Sequence, residues 1–192
     1  MFRNVPQWRT ITPGHTVVYP NREKATNKTT KAIVVLIMLI SVGLMLIVTF
    51  GGWSKLAGMK PVNFLWCLAY LIMGYYIATR WARGLLPIVA TMAILLLIMT
   101  LIAGSGAAGT SWFDRSHSGF AGAQSLFGGG GLSSDMLGLL TLLLVPVQVL
   151  LIVFAMVGFS QGWNVEVEVP IEEARRRGYR PTGPTPPQPA AA

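Results

Sequence analysis

Charge is missing from four long stretches of this chain. Residues 32–50, 64–78, 85–103 and 136–159 contain no Asp, Glu, Lys, Arg or His. Proton relays, voltage sensors and ion-coupled carriers place ionisable side chains at bilayer depth, so their absence here excludes that machinery from the chain acting alone. Acidic residues are scarce everywhere, seven against fifteen Lys and Arg. The single cysteine, Cys67, excludes an internal disulfide and any CxxC metal or redox pair. It reads as a small apolar packing residue. The two histidines, His15 and His117, stand far apart with no clustered carboxylates or thiols, and a zinc site needs three or four ligands. No catalytic, metal or cofactor-binding residue is therefore expected.

What remains is apolar. The chain is 53% hydrophobic and 11% charged, whereas a soluble domain carries about 25% charged residues. An α-helix rises about 1.5 Å per residue, so roughly 20 apolar residues cross a hydrocarbon core of about 30 Å. The expected fold is all-α integral membrane, with four transmembrane helices at about 32–52, 63–79, 85–104 and 136–159. A basic segment, 1–31, precedes this 32–159 membrane domain. A glycine-rich outer loop, 105–135, joins the last two spans. A tail, 160–192, carries a strand at 165–169 and a Pro-rich, disordered end. The first span has about thirty residues before it and no small-x-small cleavage site after it, which reads as an uncleaved signal anchor.

The positive charge gathers beside the spans. Arg3, Arg9, Arg22, Lys24, Lys28, Lys31, Arg80, Arg83, Arg175, Arg176, Arg177 and Arg180 all fall on the side of the two termini, against Lys55, Lys60 and Arg115 opposite. Under the positive-inside rule both termini are cytoplasmic, in a multi-pass protein of the inner or plasma membrane. Arg22, Lys24, Lys28, Lys31, Arg80 and Arg83 are the expected contacts for anionic lipid headgroups. Flanking charge of this kind does not call for nucleic acid. Trp53, Tyr75, Tyr76 and Trp81 fall near span ends, where amphipathic rings collect.

Several motifs carry less than they suggest. Gly104-Ser105-Gly106-Ala107-Ala108-Gly109 matches G-x-G-x-x-G, but it follows an apolar helix rather than a strand, so it reads as a helix stop. Asp114, Arg115 and His117 form the outer loop's one acid–base cluster and read as surface ion pairs. Met38 and Met45 share a helix face, as do Met92 and Met99. Thioethers can ligate Cu(I), but more often they fill irregular gaps between helices.

Two features concern assembly. Pro146 removes a backbone hydrogen bond from the fourth span and predicts a kink. Gln148 is expected to find its partner across a helix interface. The alternation Val165-Glu166-Val167-Glu168-Val169 reads as a strand ended by Pro170. A five-residue strand cannot stand alone, so Val165, Val167 and Val169 are expected to form an edge that pairs with residues 16–19, a second copy or another protein. The short 80–84 turn is expected to make spans two and three antiparallel neighbours. The resulting functional expectation is a non-catalytic scaffold or accessory subunit of a larger membrane complex, with membrane lipids and either protein partners or further copies of itself around it. A homo-oligomeric channel or permease for small solutes, with threonines and Gln148 in its wall, is the alternative.

Overall fold

The computed structural model describes residues 12–56, 59–104 and 129–179. The GxGxxG stretch beyond Gly104, the Asp114, Arg115 and His117 cluster, most of the outer loop and the Pro-rich end lie outside them. In chain order the described elements are β1 (His15–Val18), α1 (Pro20–Glu23), α2 (Ala25–Gly51), α3 (Lys60–Arg80), a 3-10 turn (Arg83–Leu85), α4 (Leu86–Gly104), α5 (Ser134–Ser160), β2 (Val167–Pro170) and α6 (Ile171–Arg176). The protein is mostly helical, and α2, α3, α4 with its preceding turn, and α5 are each long and apolar enough to cross a membrane.

The helices are longer than the charge-free runs, and residues of modest intrinsic propensity, such as Thr26, Asn27, Thr29 and Thr30 of α2, are carried in them by context rather than by propensity. Helix α2 begins at Ala25 rather than Ala32, and its polar first turns are set apart from α1 by an extended Lys24 (φ −64°, ψ 130°). Pro61 falls in the first turn of α3, where its missing N–H costs nothing. Ser133 caps α5, its hydroxyl accepting from the Met136 amide at 3.3 Å. Trp81 ends α3 in the left-handed region (φ 53°), which turns the chain sharply into the 3-10 turn.

The packing order corrects one expectation. Helix α4 packs along α5, α5 along α2 and α2 along α3, but α3 and α4 do not pack along each other despite the short turn between them. Close contact on one side explains the choice. A Cβ placed on Gly104 would stand 2.8 Å from Leu142 Cγ and 3.2 Å from the Gly138 carbonyl oxygen. The backbones of α4 and α5 therefore approach as only small residues allow. Gly51 is needed in the same way at the opposite flank: a Cβ there would collide with the Leu132 side chain, while the Leu132 amide donates to the Gly51 carbonyl at 2.9 Å. The core runs through Val34, Met38, Tyr70, Ile77, Leu86, Val89, Leu151 and Trp163. Outward faces are apolar as well, with Leu65, Leu68, Tyr75, Ile98 and Ile102 exposed. A helix that is apolar all round is buried or sits in lipid.

The strand is real but displaced. Strand β2 covers Val167–Pro170 and pairs antiparallel with β1, Thr16 facing Val169, Val17 facing Glu168 and Val18 facing Val167. Val165 lies outside it, its amide donating to the Gly162 carbonyl at 3.1 Å in a turn set by Gly162 at φ +61°. Pro170 ends the strand, as expected. It is the last paired residue, opposite His15, a position at which a proline is tolerated because no ladder N–H is demanded beyond it. The expected partner segment 16–19 begins one residue earlier, at His15. Tyr19 Oη donates to Glu166 Oε1 at 2.8 Å, the Thr12 amide donates to Glu168 Oε1 at 2.7 Å, and α6 packs against both strands.

Candidate functional site

Three side chains join three helices at the middle of the bundle. Ser41, Tyr70 and Gln148 sit near the midpoints of α2, α3 and α5, and none of the three is exposed at all. Tyr70 Oη donates to Gln148 Oε1 at 2.9 Å, Gln148 Nε2 donates to Ser41 Oγ at 2.9 Å, and Ser41 Oγ donates to the Ile37 carbonyl at 2.9 Å. Leaving a buried polar group without a partner costs about 1–3 kcal/mol, so the chain of bonds orders the helices it joins. Pro146 and Gln148 do not act together. Pro146 is exposed whereas Gln148 is buried, because two residues along a helix turn about 200°.

The other hydroxyls on these helices are occupied locally. Thr49 donates to the Met45 carbonyl at 2.7 Å, Thr91 to Pro87 at 3.0 Å, Thr100 to Leu97 at 2.9 Å and Thr141 to Leu137 at 2.8 Å. Thr49 also accepts from Asn63 Nδ2 at 3.0 Å, which ties α2 to the start of α3. Among the described residues Trp66 Nε1, one turn from Tyr70, is the one buried side-chain polar atom with no hydrogen-bond partner. Among the described residues no three His, Cys, Asp or Glu side chains come together as metal ligands would.

The end of the bundle where α2 begins and α5 ends is a polar cap built around Trp163, which is fully buried. Its ring meets Trp81 edge-on at 5.5 Å, and its Nε1 donates to Gln161 Oε1 at 2.9 Å. Gln161 Nε2 donates to Thr30 Oγ1 at 2.8 Å, and Asn21 Nδ2 donates to the Gly162 carbonyl at 3.0 Å. Arg22 Nε donates to the Trp163 carbonyl at 3.2 Å, Arg22 Nη2 donates to Asn164 Oδ1 at 2.8 Å, and the guanidinium lies over the Tyr19 ring. Lys31 Nζ donates to the Ala78 carbonyl at 3.0 Å and covers the Trp81 ring at 3.9 Å. Arg83 Nε donates to the Phe159 carbonyl at 2.6 Å. The Ala78 and Phe159 carbonyls belong to the last turns of α3 and α5, where orphan acceptors and the negative end of the helix dipole attract cations.

The six basic residues read from the sequence as headgroup contacts thus fall into two sets. Arg22, Lys31 and Arg83 turn onto backbone carbonyls. Lys24 and Arg80 are exposed, with no side-chain partner among the described residues, and Lys28 is exposed in an ion pair with Glu23 at 2.8 Å. Of the three valines read as a partner edge, Val165 and Val167 are exposed and Val169 is half-buried, and the strand's hydrogen-bonding need is met by β1. Sequence reading missed the cap. Its one visible signal was Gln161-Gly162-Trp163 directly after an apolar run, an amide, a turn former and an interfacial ring.

At the opposite end, residues of four helices line an open pocket of about 210 Å³. Buried Met45, Leu96 and Leu144 form its floor, and the more exposed Met99 and Ile102 form its rim. Met59 and Asn63 close it on the α3 side. Phe50, Trp53 and Phe64 cluster between the end of α2 and the start of α3 with ring centroids 6.0–6.5 Å apart, and Lys60 Nζ stands 4.3 Å from the Trp53 ring centroid. Comparison of the chain with protein-family models, curated proteins and solved structures returns no match.

Proposed function

We propose that this chain is a non-catalytic, four-helix membrane protein that serves as a scaffold or accessory subunit of a larger membrane complex, with both termini cytoplasmic. One observation carries the reading. Every hydroxyl and amide discussed above on the four helices is bonded within the chain, centrally through Ser41, Gln148 and Tyr70. A carrier or channel keeps polar groups turned toward a pathway, and a catalyst needs a nucleophile–base pair or a positioned acid. This protein instead bonds its polar groups within its own helices or, at Ser41, Thr49, Asn63, Tyr70 and Gln148, between them. Its outward faces are left apolar for lipid and neighbouring helices.

The cap around Trp163 supports the same role, because it fixes the β1–β2 ribbon and α6 onto the end of the bundle. Lys24, Lys28 and Arg80 remain outward for anionic headgroups, and the basic residues of α6 add to that surface. A homo-oligomeric channel or permease is the weaker reading, since the amide that would line its wall is bonded at both ends inside one protomer.

Purification from its native membrane in a mild detergent, followed by native mass spectrometry, tests the proposal. Stoichiometric unlike subunits are expected. A homogeneous oligomer of this chain that passes ions or small neutral solutes in liposomes would replace the scaffold reading with the channel.

A further inference from the structure

Two rows of side chains on α2 and α3 run from the basic end of the bundle into its apolar wall. Lys28, Lys31, Val35, Met38 and Val42 follow one another at steps of three and four residues, so they share one face of α2. Leu71, Gly74, Ala78 and the cap residue Trp81 do the same along α3. Between the rows lies an open groove of about 220 Å³, lined by Val35, Met38 and Val42 on one side and by Leu71, Gly74 and Ala78 on the other. Met38 and Tyr70 close its floor at 1% and 0% exposure, whereas Leu39 and Tyr75 form its lips at 51% and 61%. Gly74 keeps it hollow, because the nearest atom to an added Cβ there would be Met38 Cε at 3.9 Å.

At the cap end the two rows converge on a cation. Lys31 Nζ donates to the carbonyl of the lining residue Ala78 at 3.0 Å and lies 3.9 Å over the Trp81 ring. An ammonium has three donors, and the Ala78 carbonyl is the one acceptor that Lys31 meets among the described residues. Lys28, a turn nearer the start of α2, and Arg22 both press like charge on Lys31. Glu23 answers part of that charge through its exposed pair with Lys28 at 2.8 Å, and exposed pairs are worth little and exchange readily. An excess of positive charge therefore stands at the head of an apolar trough.

That charge selects the occupant. A second copy of this chain would insert in the same orientation and bring its own Lys28 and Lys31 to the same depth, where like charges repel. A lipid with a neutral head would fill the trough and leave the excess charge unanswered. We propose that the groove binds one anionic glycerophospholipid, its phosphate held by Lys28 and Lys31 and one acyl chain laid between α2 and α3. The proposal rests on the membrane-embedded reading of these helices and on the headgroup-facing surface of the cap, and not on the scaffold role.

The test uses the full chain in nanodiscs of phosphatidylcholine carrying a trace of phosphatidylglycerol, or of phosphatidylcholine, with a diazirine on one acyl chain. After illumination, peptide mass spectrometry maps the labels. The phosphatidylglycerol probe should label Val35, Met38, Val42 and Leu71 on the order of tenfold more than the phosphatidylcholine probe does, as cations beside an anionic head predict. Outward residues of α4 and α5, such as Ile98 and Leu150, should take both probes alike. Equal yields from the two probes in the groove would overturn the proposal, as would a second copy crosslinked across it. Lys28→Gln, at an exposed position that leaves the Ala78 bond intact, should cut the preference about fivefold, the worth of one basic residue beside an anionic surface. Lys60→Gln, which removes the same charge at the opposite end of the bundle, should leave it unchanged; equal losses from the two variants would replace the site with a general effect of net charge. Gly74→Leu, which fills the trough, should bring groove labelling by both probes down to the level at Ile98, and undiminished labelling would also overturn the proposal. Failure of the chain to enter nanodiscs at all would instead refute the membrane reading on which the site depends.

Discussion

Removing the Tyr70 hydroxyl should destabilise the protein only when Gln148 is present. In the intact bundle, Tyr70→Phe deletes the bond to Gln148 Oε1 (2.9 Å) and leaves that oxygen short of a donor in a fully buried position. Interhelical hydrogen bonds in membranes average about 0.6 and reach about 1.7 kcal/mol, and an orphaned buried acceptor adds to this, so a loss of about 1–2 kcal/mol is expected. Gln148→Leu keeps the volume but strands the Tyr70 hydroxyl instead. Ser41 is spared, because its own proton still reaches the Ile37 carbonyl. In the Gln148→Leu background, Tyr70→Phe then removes an unpaired polar group and should be neutral or slightly stabilising. The double-mutant cycle should therefore return a coupling of about 1–2 kcal/mol, well above the roughly 0.3–0.5 kcal/mol within which independent sites add. Reversible unfolding in bicelles, followed by tryptophan fluorescence, supplies the four free energies. Additive single changes would show that Tyr70 and Gln148 do not share a bond, and the central bridge between α3 and α5 would be lost from the account.

Three further changes test other joints. Gly104→Val should push α4 off α5 and cost about 1–3 kcal/mol by overpacking against Leu142 and the Gly138 carbonyl, read in the same unfolding assay, while Gly43→Val, where nothing lies within 4 Å of the added carbon, should change stability little. Arg83→Gln should cost about 1–2 kcal/mol by removing a charged donor from the Phe159 carbonyl, whereas Arg80→Gln, at an exposed position with no partner among the described residues, should fall within about 0.5 kcal/mol of wild type. Trp163→Ala should be the most damaging single change in the cap, about 3–5 kcal/mol, and should also release the β1–β2 ribbon to amide hydrogen exchange; unchanged protection of Val17 and Glu168 would separate the ribbon from the cap.

The four long apolar helices were legible because a helix suited to hydrocarbon cannot carry unpaired charge, and that rule writes itself as runs without Asp, Glu, Lys, Arg or His. Their ends were less so. Ala25–Lys31 and Lys60–Asn63 belong to helices that continue past the apolar region, and polar helical residues leave no hydropathy signal. Gln148 was singled out as a buried amide awaiting a partner, but nothing local could say that Tyr70 and Ser41, 78 and 107 residues away, would supply it. The alternation at 165–169 announced a strand, yet the register is set by the turn at Gly162 and by pairing to β1, so the ladder begins at Val167. The separation of α3 from α4 was hidden for a related reason. A short connection predicts neighbours, but close contact of Gly104 with α5 and the Tyr70–Gln148 bond place the two helices apart. The open pocket at the loop-side end follows from that separation and was equally invisible in one dimension.

All of these readings require the four apolar helices to lie in a bilayer. Alkaline carbonate extraction of membranes from cells expressing the full chain, followed by high-speed pelleting, measures this most directly. The chain should remain wholly in the pellet and enter the supernatant only when detergent is added. Release into the carbonate supernatant would mean that Leu65, Leu68, Ile98 and Ile102 are covered by protein rather than lipid, and the bundle would have to be explained as the core of a water-soluble assembly.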